Sequence, residues 1–181
     1  MYPRFEITHK RRATAIDIAN DLYERRPEYT FAKWFAGTLG EMATWQYIEN
    51  AGWSVRRGPN LKHDLSILGP SGKENRCEVK TQIRTVDVKP SYCVNVNAKA
   101  YEQQKHDFYV FGSLRQGISA DTAHALYVEL VGWCMRKSVP TLGILLKPGD
   151  KYDNGQQVTK EVWSIPISKL RPMDKIDDAM W

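Results

Sequence analysis

Residues 64–83 read DLSILGPSGKENRCEVKTQI, and this stretch decides the fold class. Apolar side chains alternate with polar ones on both sides of the turn sequence Gly69-Pro70-Ser71-Gly72, which is the pattern of two antiparallel strands joined as a hairpin. In the second predicted strand, residues 75–83, successive side chains point to opposite faces of the sheet. One face carries Arg76, Glu78, Lys80 and Gln82, and the other carries Cys77, Val79, Thr81 and Ile83.

The hairpin brings two carboxylates together. If its turn is centred on Ser71, Asp64 lies opposite Glu78. Directly opposed side chains begin roughly 5 Å apart, and like charges there destabilise the pair unless a cation lies between them. A divalent metal would supply that cation, and oxygen ligands alone favour Mg²⁺ or Mn²⁺ over zinc. The alternative is an ordinary surface salt bridge, with the acids neutralised by Lys62, Arg76 or Lys80.

The segments around the hairpin alternate between helical and strand periodicity, which is typical of an α/β protein. No repeat, low-complexity tract or linker divides the chain, so we expect a single domain over 31–181 behind an N-terminal helical extension over 1–30. Thr14 is the predicted N-cap of the helix in that extension. The other predicted elements are helices over 31–50 and 98–105, and strands over 53–57, 64–68, 108–111, 126–131, 142–146 and 162–167.

Glu41 is an anomaly on the predicted helix over 31–50, because it falls on the apolar stripe. An unpaired carboxylate is costly to bury there. Gly37 and Gly40 lie beside it, and each costs up to about 1 kcal/mol relative to Ala in a helix, which indicates close packing. Glu41 is therefore a candidate site residue. The alternative is a position at the edge of the stripe, with the carboxylate paired to Arg56 or Arg57.

The composition is that of an ordinary globular domain, with 181 residues of which 42% are hydrophobic and 26% charged. These values argue against disordered and fibrous classes. No apolar run approaches the roughly 20 residues of a membrane helix. The N-terminal residues also lack the apolar core of a secretory signal. We therefore expect an intracellular, cytoplasmic protein that does not enter a membrane.

The charge balance favours a polyanionic partner. The chain has 26 Lys and Arg against 21 Asp and Glu, a net charge of +5. The excess is concentrated in residues 1–12 and 53–62, which are candidate phosphate-contacting patches. The alternative for each patch is a solvated charged surface. The candidate nucleic-acid-binding residues are Lys10, Arg11, Arg12, Arg56, Arg57 and Lys62, together with Gln82, which continues the charged face of its strand.

Cysteine and histidine usage excludes two structural frameworks. Three scattered cysteines are too few for a disulfide scaffold and suit a reducing compartment. There is no C-x-x-C pair, and the four histidines have no ligand spacing, so structural zinc is not expected.

Taken together, the motifs resemble the PD-(D/E)xK nuclease superfamily, which has the restriction-endonuclease-like fold. The resemblance covers roughly residues 31–132, and the order of elements agrees. His63 departs from the family, which often has Pro before the Asp. The motifs are Gly37-Thr38-Leu39-Gly40-Glu41 on a helix, Gly52-Trp53 at the start of a strand, Lys62-His63-Asp64-Leu65, and Glu78-Val79-Lys80-Thr81.

The resemblance implies a mixed central sheet flanked by helices and a Mg²⁺-dependent nuclease that hydrolyses DNA phosphodiester bonds, with Mn²⁺ able to substitute. We expect an endonuclease, and an exonuclease is the alternative. It implies that Asp64 and Glu78 are metal ligands and that Lys80 orients or polarises the attacking water. Glu41 would make an outer or water-mediated metal contact. Tyr101 and Gln104, on the following helix, are weaker candidates.

Two other function classes stay open at this point. One is a nucleic-acid-binding module that keeps the nuclease fold but does not cleave. The other is an interaction protein whose charged strand face is merely solvated. One active site cuts one strand, so double-strand cleavage would need a homodimer, and the N-terminal helix is the candidate contact.

Overall fold

The computed structural model of the chain describes residues 2–58, 63–69, 72–116, 125–152 and 154–180. Its α-helices are α1 (His9–Arg25), α2 (Phe31–Asn50), α3 (Ala98–Gln103) and α4 (Val139–Leu142). Its strands are β1 (Arg4–Glu6), β2 (Ser54–Arg57), β3 (Leu65–Leu68), β4 (Glu74–Arg84), β5 (Cys93–Asn97), β6 (Phe108–Gln116), β7 (Ala125–Met135), β8 (Ile144–Leu146) and β9 (Val162–Pro166). Short 3₁₀ helices cover Arg136–Ser138, Ile167–Lys169 and Met173–Ala179.

The described strands form a mixed sheet and a smaller antiparallel one. The larger sheet has six strands in the order β1-β7-β6-β4-β3-β2. Strands β4 and β6 are parallel, and the other neighbours in that sheet are antiparallel. The chain passes from β4 to β6 through β5 and α3, because parallel neighbours need a crossover connection. The smaller sheet has the order β5-β9-β8.

Apolar side chains fill both faces of the central strands. On one face α1 and α2 pack against the sheet, with Phe35 and Leu39 of α2 in the same cluster as Val110. On the other face, Tyr109 and Phe111 pack against the smaller sheet. Residues 108–111 are a continuous apolar run because β6 is buried on both sides. The result is a mixed α/β fold with helices flanking a mixed sheet.

The predicted hairpin is confirmed, including its register. Ser66 pairs with Arg76, and Leu65 pairs with Cys77, as a turn centred on Ser71 requires. Pro70 and Ser71 themselves lie outside the described residues. The predicted strands around 108–111 and 126–131 both exist but are longer than expected, since β6 and β7 pair over most of their length.

The predicted N-cap of the first helix is wrong. Helix α1 begins at His9, and the Thr8 side chain accepts a hydrogen bond from the Arg11 backbone N–H. Thr14 lies inside the helix, where its hydroxyl donates to the Lys10 carbonyl at 3.1 Å. The first turn contains no acidic residue, so the usual charge signal of a helix start is missing.

Two strands were not predicted from the sequence. Strand β1 has three residues and pairs with β7 at the edge of the large sheet. Strand β5 pairs with β9 and starts the smaller sheet. Among the described residues, no helix has the length and apolar character needed to cross a membrane.

Gly40 marks the closest approach of α2 to the sheet. A Cβ at this position would lie 1.8 Å from Thr81 Oγ1 on β4, whereas a Cβ at Gly37 would meet nothing within 4 Å. Close packing was expected at both glycines, and it occurs only at Gly40. The absent side chain there allows α2 to hold Glu41 next to the hairpin.

These two glycines make a matched stability test. We expect Gly37→Ala to raise the free energy of unfolding by up to about 1 kcal/mol, because Ala is the better helix former. Gly40→Ala should lower it by about 1–3 kcal/mol, because the methyl group overlaps Thr81. Urea denaturation of both variants measures the difference. Equal effects of the two substitutions would contradict the close contact.

Candidate active site

The hairpin places Asp64 and Glu78 side by side. Asp64 immediately precedes β3, and its backbone N–H donates to the Cys77 carbonyl at 3.1 Å. Its carbonyl accepts from Gly58 N–H at 2.9 Å on the other side. The bond from Asp64 goes to Cys77 and not to Glu78, so the regular pairing of β3 with β4 ends at Leu65 and Cys77. Asp64 lies close enough to β4 for the Glu78 charge to act on its carboxylate.

Glu78 is buried, with 3% of its surface exposed, and its two carboxylate oxygens differ. Oε1 accepts hydrogen bonds from Lys80 Nζ and, at 3.1 Å, from Gln104 Nε2. Oε2 is also buried but has no hydrogen-bond partner in the described part of the chain. A buried carboxylate oxygen without a donor costs free energy, so this atom is suited to receive an additional ligand.

One carboxylate oxygen of Asp64 has a hydrogen-bond partner, but burial makes the negative charge of this carboxylate unfavourable. Oδ2 accepts from Val79 N–H at 2.7 Å, which fixes the carboxylate against β4. Burial, followed by the nearby Glu78 charge, raises the pKa of Asp64 to about 7, although Lys80 and the Val79 hydrogen bond oppose the shift. The two carboxylates thus repel each other.

Glu41 approaches the same pair from α2. Burial raises the pKa of Glu41 to about 8, and the charges of Asp64 and Glu78 add to this effect. Arg57 and Lys80 act in the opposite direction. Glu41 is therefore close enough to Asp64 and Glu78 for the three charges to interact. Arg57, one of the two arginines predicted to pair with Glu41, is close enough to lower its pKa.

Lys80 is the fourth residue of the candidate site, beside Glu41, Asp64 and Glu78. Its ammonium forms an ion pair with Glu78 Oε1. Burial lowers the pKa of Lys80, but the carboxylates of Glu78 and Asp64 outweigh burial, and the net pKa is raised. The ammonium stays protonated at neutral pH and can act as a hydrogen-bond donor. Arg76, another predicted neutraliser, instead pairs with Asp107 at 2.9 Å.

The acids do not by themselves form a closed metal cage. Within the described ranges, no group of three His, Cys, Asp or Glu side chains is arranged to hold a metal ion. Cys77, Cys93 and Cys134 form no disulfide among the described residues. Any cation at this position would be held by the Asp64–Glu78 pair, with water or substrate oxygens as further ligands.

The raised carboxyl pKa values predict how stability depends on pH without metal. Their folded values lie above the ordinary values of 4.5 for Glu41 and 3.8 for Asp64, so the folded protein binds more protons than the unfolded chain. These two carboxyl groups therefore contribute stability that is lost as pH rises from about 4 to about 8, whereas the lowered pKa of His106 acts in the opposite direction below 6.5. Denaturation of wild type and Glu41→Gln in EDTA across this range isolates the Glu41 contribution, and the free energy of unfolding of wild type should fall relative to that of the variant as pH rises. Parallel profiles of the two proteins would contradict the raised pKa of Glu41.

Three neighbours of Glu78 were missed or underrated by the sequence. Gln104, a weak candidate, donates directly to Glu78. Tyr109 is directly beside Glu78 in the β4–β6 register, and burial, followed by the Glu78 charge, raises its pKa. His106 packs edge-on against Tyr109 with ring centroids 4.2 Å apart, and burial lowers its pKa to about 3. The parallel register brings Tyr109 beside Glu78, and no sequence motif marks that pairing.

Tyr101, the other weak candidate, makes no hydrogen bond to the acids in the part of the chain that the structure describes. Its carbonyl accepts from Arg136, whose guanidinium lies over the Tyr101 ring at 4.5 Å from the centroid. It supports the end of α3 rather than the carboxylates.

The predicted N-terminal basic patch is partly engaged in the fold. Arg11 donates to the Glu6 carbonyl at 2.9 Å and to Gln46 Oε1 at 2.5 Å, and its guanidinium lies over the Phe5 ring. Lys10 is exposed and Arg12 is half-buried. The contacts of Arg11 fasten α1 to β1 and α2, so its substitution would affect folding as well as any phosphate contact.

The other predicted phosphate contacts are distributed around the hairpin. Arg56 forms a salt bridge with Glu74 at 3.2 Å. Arg57 is exposed, and its positive charge acts to lower the pKa of Glu41. Gln82 accepts a hydrogen bond from Arg84 at 2.6 Å. Lys62 lies outside the described residues.

Comparison with known proteins adds nothing to this geometry. No protein-family model matches the chain, and a search of curated proteins found no match.

Proposed function

We propose that the chain is a metal-dependent deoxyribonuclease with a restriction-endonuclease-like fold of the PD-(D/E)xK type. The observation that carries this proposal is the convergence of Asp64, Glu78 and Lys80 on one end of the hairpin, with Glu78 Oε2 buried and lacking a partner among the described residues. An ordinary surface salt bridge does not require two carboxylates to be buried close together.

The residues present fit a hard divalent cation. The available donors are carboxylate oxygens, which Mg²⁺ and Mn²⁺ prefer, and the partnerless Glu78 Oε2 is an acceptor that a cation would satisfy. Asp64 and Glu78 would hold the ion. When bound, a divalent cation makes water nucleophilic at neutral pH and neutralises charge on the reacting phosphate.

The chain's own residues supply positioning and charge. Val79 N–H and Gln104 hold the two carboxylates in place through hydrogen bonds of 2.7 and 3.1 Å. The Lys80 ammonium remains protonated, so it can donate to the attacking water or to a phosphoryl oxygen as negative charge develops. Arg57 is exposed beside Glu41 and can contact a phosphate of the DNA backbone.

Glu41 gives a separate test of the site. We expect Glu41→Gln to reduce cleavage by roughly tenfold to a hundredfold, the usual effect of losing an outer contact to a metal site. Unfolding free energy should stay the same or rise, because an unfavourably buried carboxyl group is removed. Cleavage rate and urea denaturation are measured on the same preparation. Equal activity of Glu41→Gln and wild type would remove Glu41 from the site.

The proposal is tested with a panel of DNA forms. Supercoiled plasmid, linear duplex, branched and single-stranded DNA are each incubated with the protein in Mg²⁺ and in EDTA. We expect Mg²⁺-dependent cleavage of at least one form, and the products distinguish nicking, double-strand cutting and resection. Tight binding without cleavage of any form would overturn the nuclease proposal and favour a non-cleaving binding module.

A further inference from the structure

A row of cationic and polar side chains continues from the acidic pair along β4. Glu78, Lys80, Gln82 and Arg84 alternate along the strand and therefore share one face of the sheet. The parallel register places Arg115 of β6 directly beside Arg84. The face thus begins at the carboxylates and ends at two adjacent guanidinium groups.

Arg84 and Arg115 differ in how far acidic side chains compensate their positive charge. Arg115 approaches Asp87 at 3.8 Å, and the Asp87 side chain is 77% exposed, so this ion pair is weak. Arg84 has no carboxylate partner in the described ranges. Like charges directly opposite each other in a sheet are destabilising unless an anion compensates them.

Arg84 is nevertheless held in one place. It donates to Gln82 Oε1 at 2.6 Å and to the Cys93 carbonyl at 2.9 Å, and its guanidinium lies 5.1 Å from the centroid of the Tyr92 ring. Burial lowers the pKa of Arg84, which agrees with a cation short of counter-charge. A fixed, under-neutralised guanidinium beside a second one is a preorganised pair of hydrogen-bond donors for an oxyanion.

We propose that Arg84 and Arg115 together bind a backbone phosphate of the DNA strand whose scissile phosphate lies at Asp64 and Glu78. This inference rests on the proposed function and adds the path of the substrate, which runs along β4 toward its C-terminal end. Lys80 and Arg84 are four residues apart, about 13 Å along a strand, which is about four nucleotides of a stacked DNA strand. Guanidinium pairs suit phosphate because each can donate two parallel hydrogen bonds.

The first test measures DNA affinity without cleavage. Fluorescence anisotropy of a labelled oligonucleotide is recorded in EDTA over a range of salt for wild type, Arg84→Gln and Arg115→Gln. Each variant should bind about tenfold more weakly at low salt and lose about one unit of the log–log salt slope. Arg171→Gln is the control, because it removes the same charge from an arginine paired with Asp178.

The second test locates the phosphate. Neutral methylphosphonate linkages are placed one at a time in the oligonucleotide, and binding is compared between wild type and Arg115→Gln. One position, displaced from the cleavage site, should weaken wild-type binding and have little effect on the variant. Arg115→Gln carries the test even if Arg84→Gln fails to fold, since Arg84 also supports the Cys93 carbonyl.

The outcomes separate this inference from the proposed function. If wild type binds and cleaves DNA but both variants keep the wild-type affinity and salt slope, the Arg84–Arg115 site is wrong and the nuclease proposal stands. If wild type neither binds nor cleaves any DNA form, both fail. Loss of affinity in Arg171→Gln equal to that in Arg115→Gln would also overturn the site, because the effect would then be a general charge effect.

Discussion

Glu78→Ala should abolish cleavage while leaving DNA affinity in EDTA unchanged or increased. The substitution removes one of the two carboxylates that would hold the metal, and loss of metal assistance worth several kcal/mol lowers the rate by roughly a thousandfold or more. It also removes a negative charge close to the DNA phosphates and leaves the Lys80 ammonium without its partner. Cleavage rate in Mg²⁺ and binding in EDTA are measured at matched salt.

Glu161→Ala is the matched control for this experiment, because Glu161 is an exposed glutamate outside the site. It should cleave and bind as wild type does. Glu78→Ala purified in the same way also reports any contaminating nuclease. Wild-type cleavage by Glu78→Ala would contradict the role of Glu78, and a parallel loss of binding and cleavage would mean that the variant is misfolded or that Glu78 contacts the DNA itself.

Lys80→Met should separate turnover from metal binding. The methionine keeps the length and apolar stem of lysine but removes the ammonium that would act on the attacking water or the phosphoryl oxygen. Loss of one such donor lowers turnover by about 10²–10³-fold. The carboxylates remain, so Mn²⁺ affinity should be retained or increased. Single-turnover cleavage at saturating metal and a metal titration measure the two quantities.

Stability gives a second readout of the same variant. Without the ammonium, Glu78 keeps Gln104 as its one side-chain donor among the described residues, and breaking a buried ion pair costs about 3–5 kcal/mol. The protein should unfold more easily in EDTA and recover part of its stability in Mg²⁺, because the ion would replace the lost positive charge. Lys160→Met, at an exposed lysine, is the control. Unchanged turnover in Lys80→Met would remove Lys80 from the mechanism.

The hairpin and its register could be predicted because several local signals agree. Alternation of polar and apolar side chains, turn residues at Gly69 to Gly72 and the apolar Leu65 and Ile67 all require the same pairing. A one-residue slip would have moved every apolar side chain of the hairpin to the wrong face. The closeness of Asp64 to Glu78 was predicted from that register, although the regular pairing ends at Leu65.

Strands β1 and β5 could not be predicted for a different reason. They are short, and each is stabilised by pairing with a strand distant in sequence, β7 for β1 and β9 for β5. The helix start at Thr8 was hidden because the basic residues that follow it oppose the helix dipole. Local sequence does not encode the long-range strand pairing, and at Thr8 it gives two signals that conflict.

The sequence predicted the three acidic residues of the candidate site and Lys80, but not the neighbouring residues on β6. Glu41, Asp64, Glu78 and Lys80 carry recognisable chemistry at recognisable positions. Tyr109 joins them only through the parallel pairing of β4 with β6, and the pairing of Arg84 with Arg115 has the same origin. Arg11 is the opposite case. The sequence predicts a phosphate contact for it, but its side chain contacts Glu6, Gln46 and Phe5 within the fold.

The central claim is that the Asp64–Glu78 pair holds the divalent cation that hydrolysis requires. Electron paramagnetic resonance of Mn²⁺ measures this directly, because the signal of the free aqueous ion disappears on binding. Wild type should bind one ion per chain, and either Asp64→Asn or Glu78→Gln should weaken this binding by at least about tenfold. Failure of wild type to bind Mn²⁺, in the presence of DNA as well as without it, or binding that survives both substitutions, would contradict the claim.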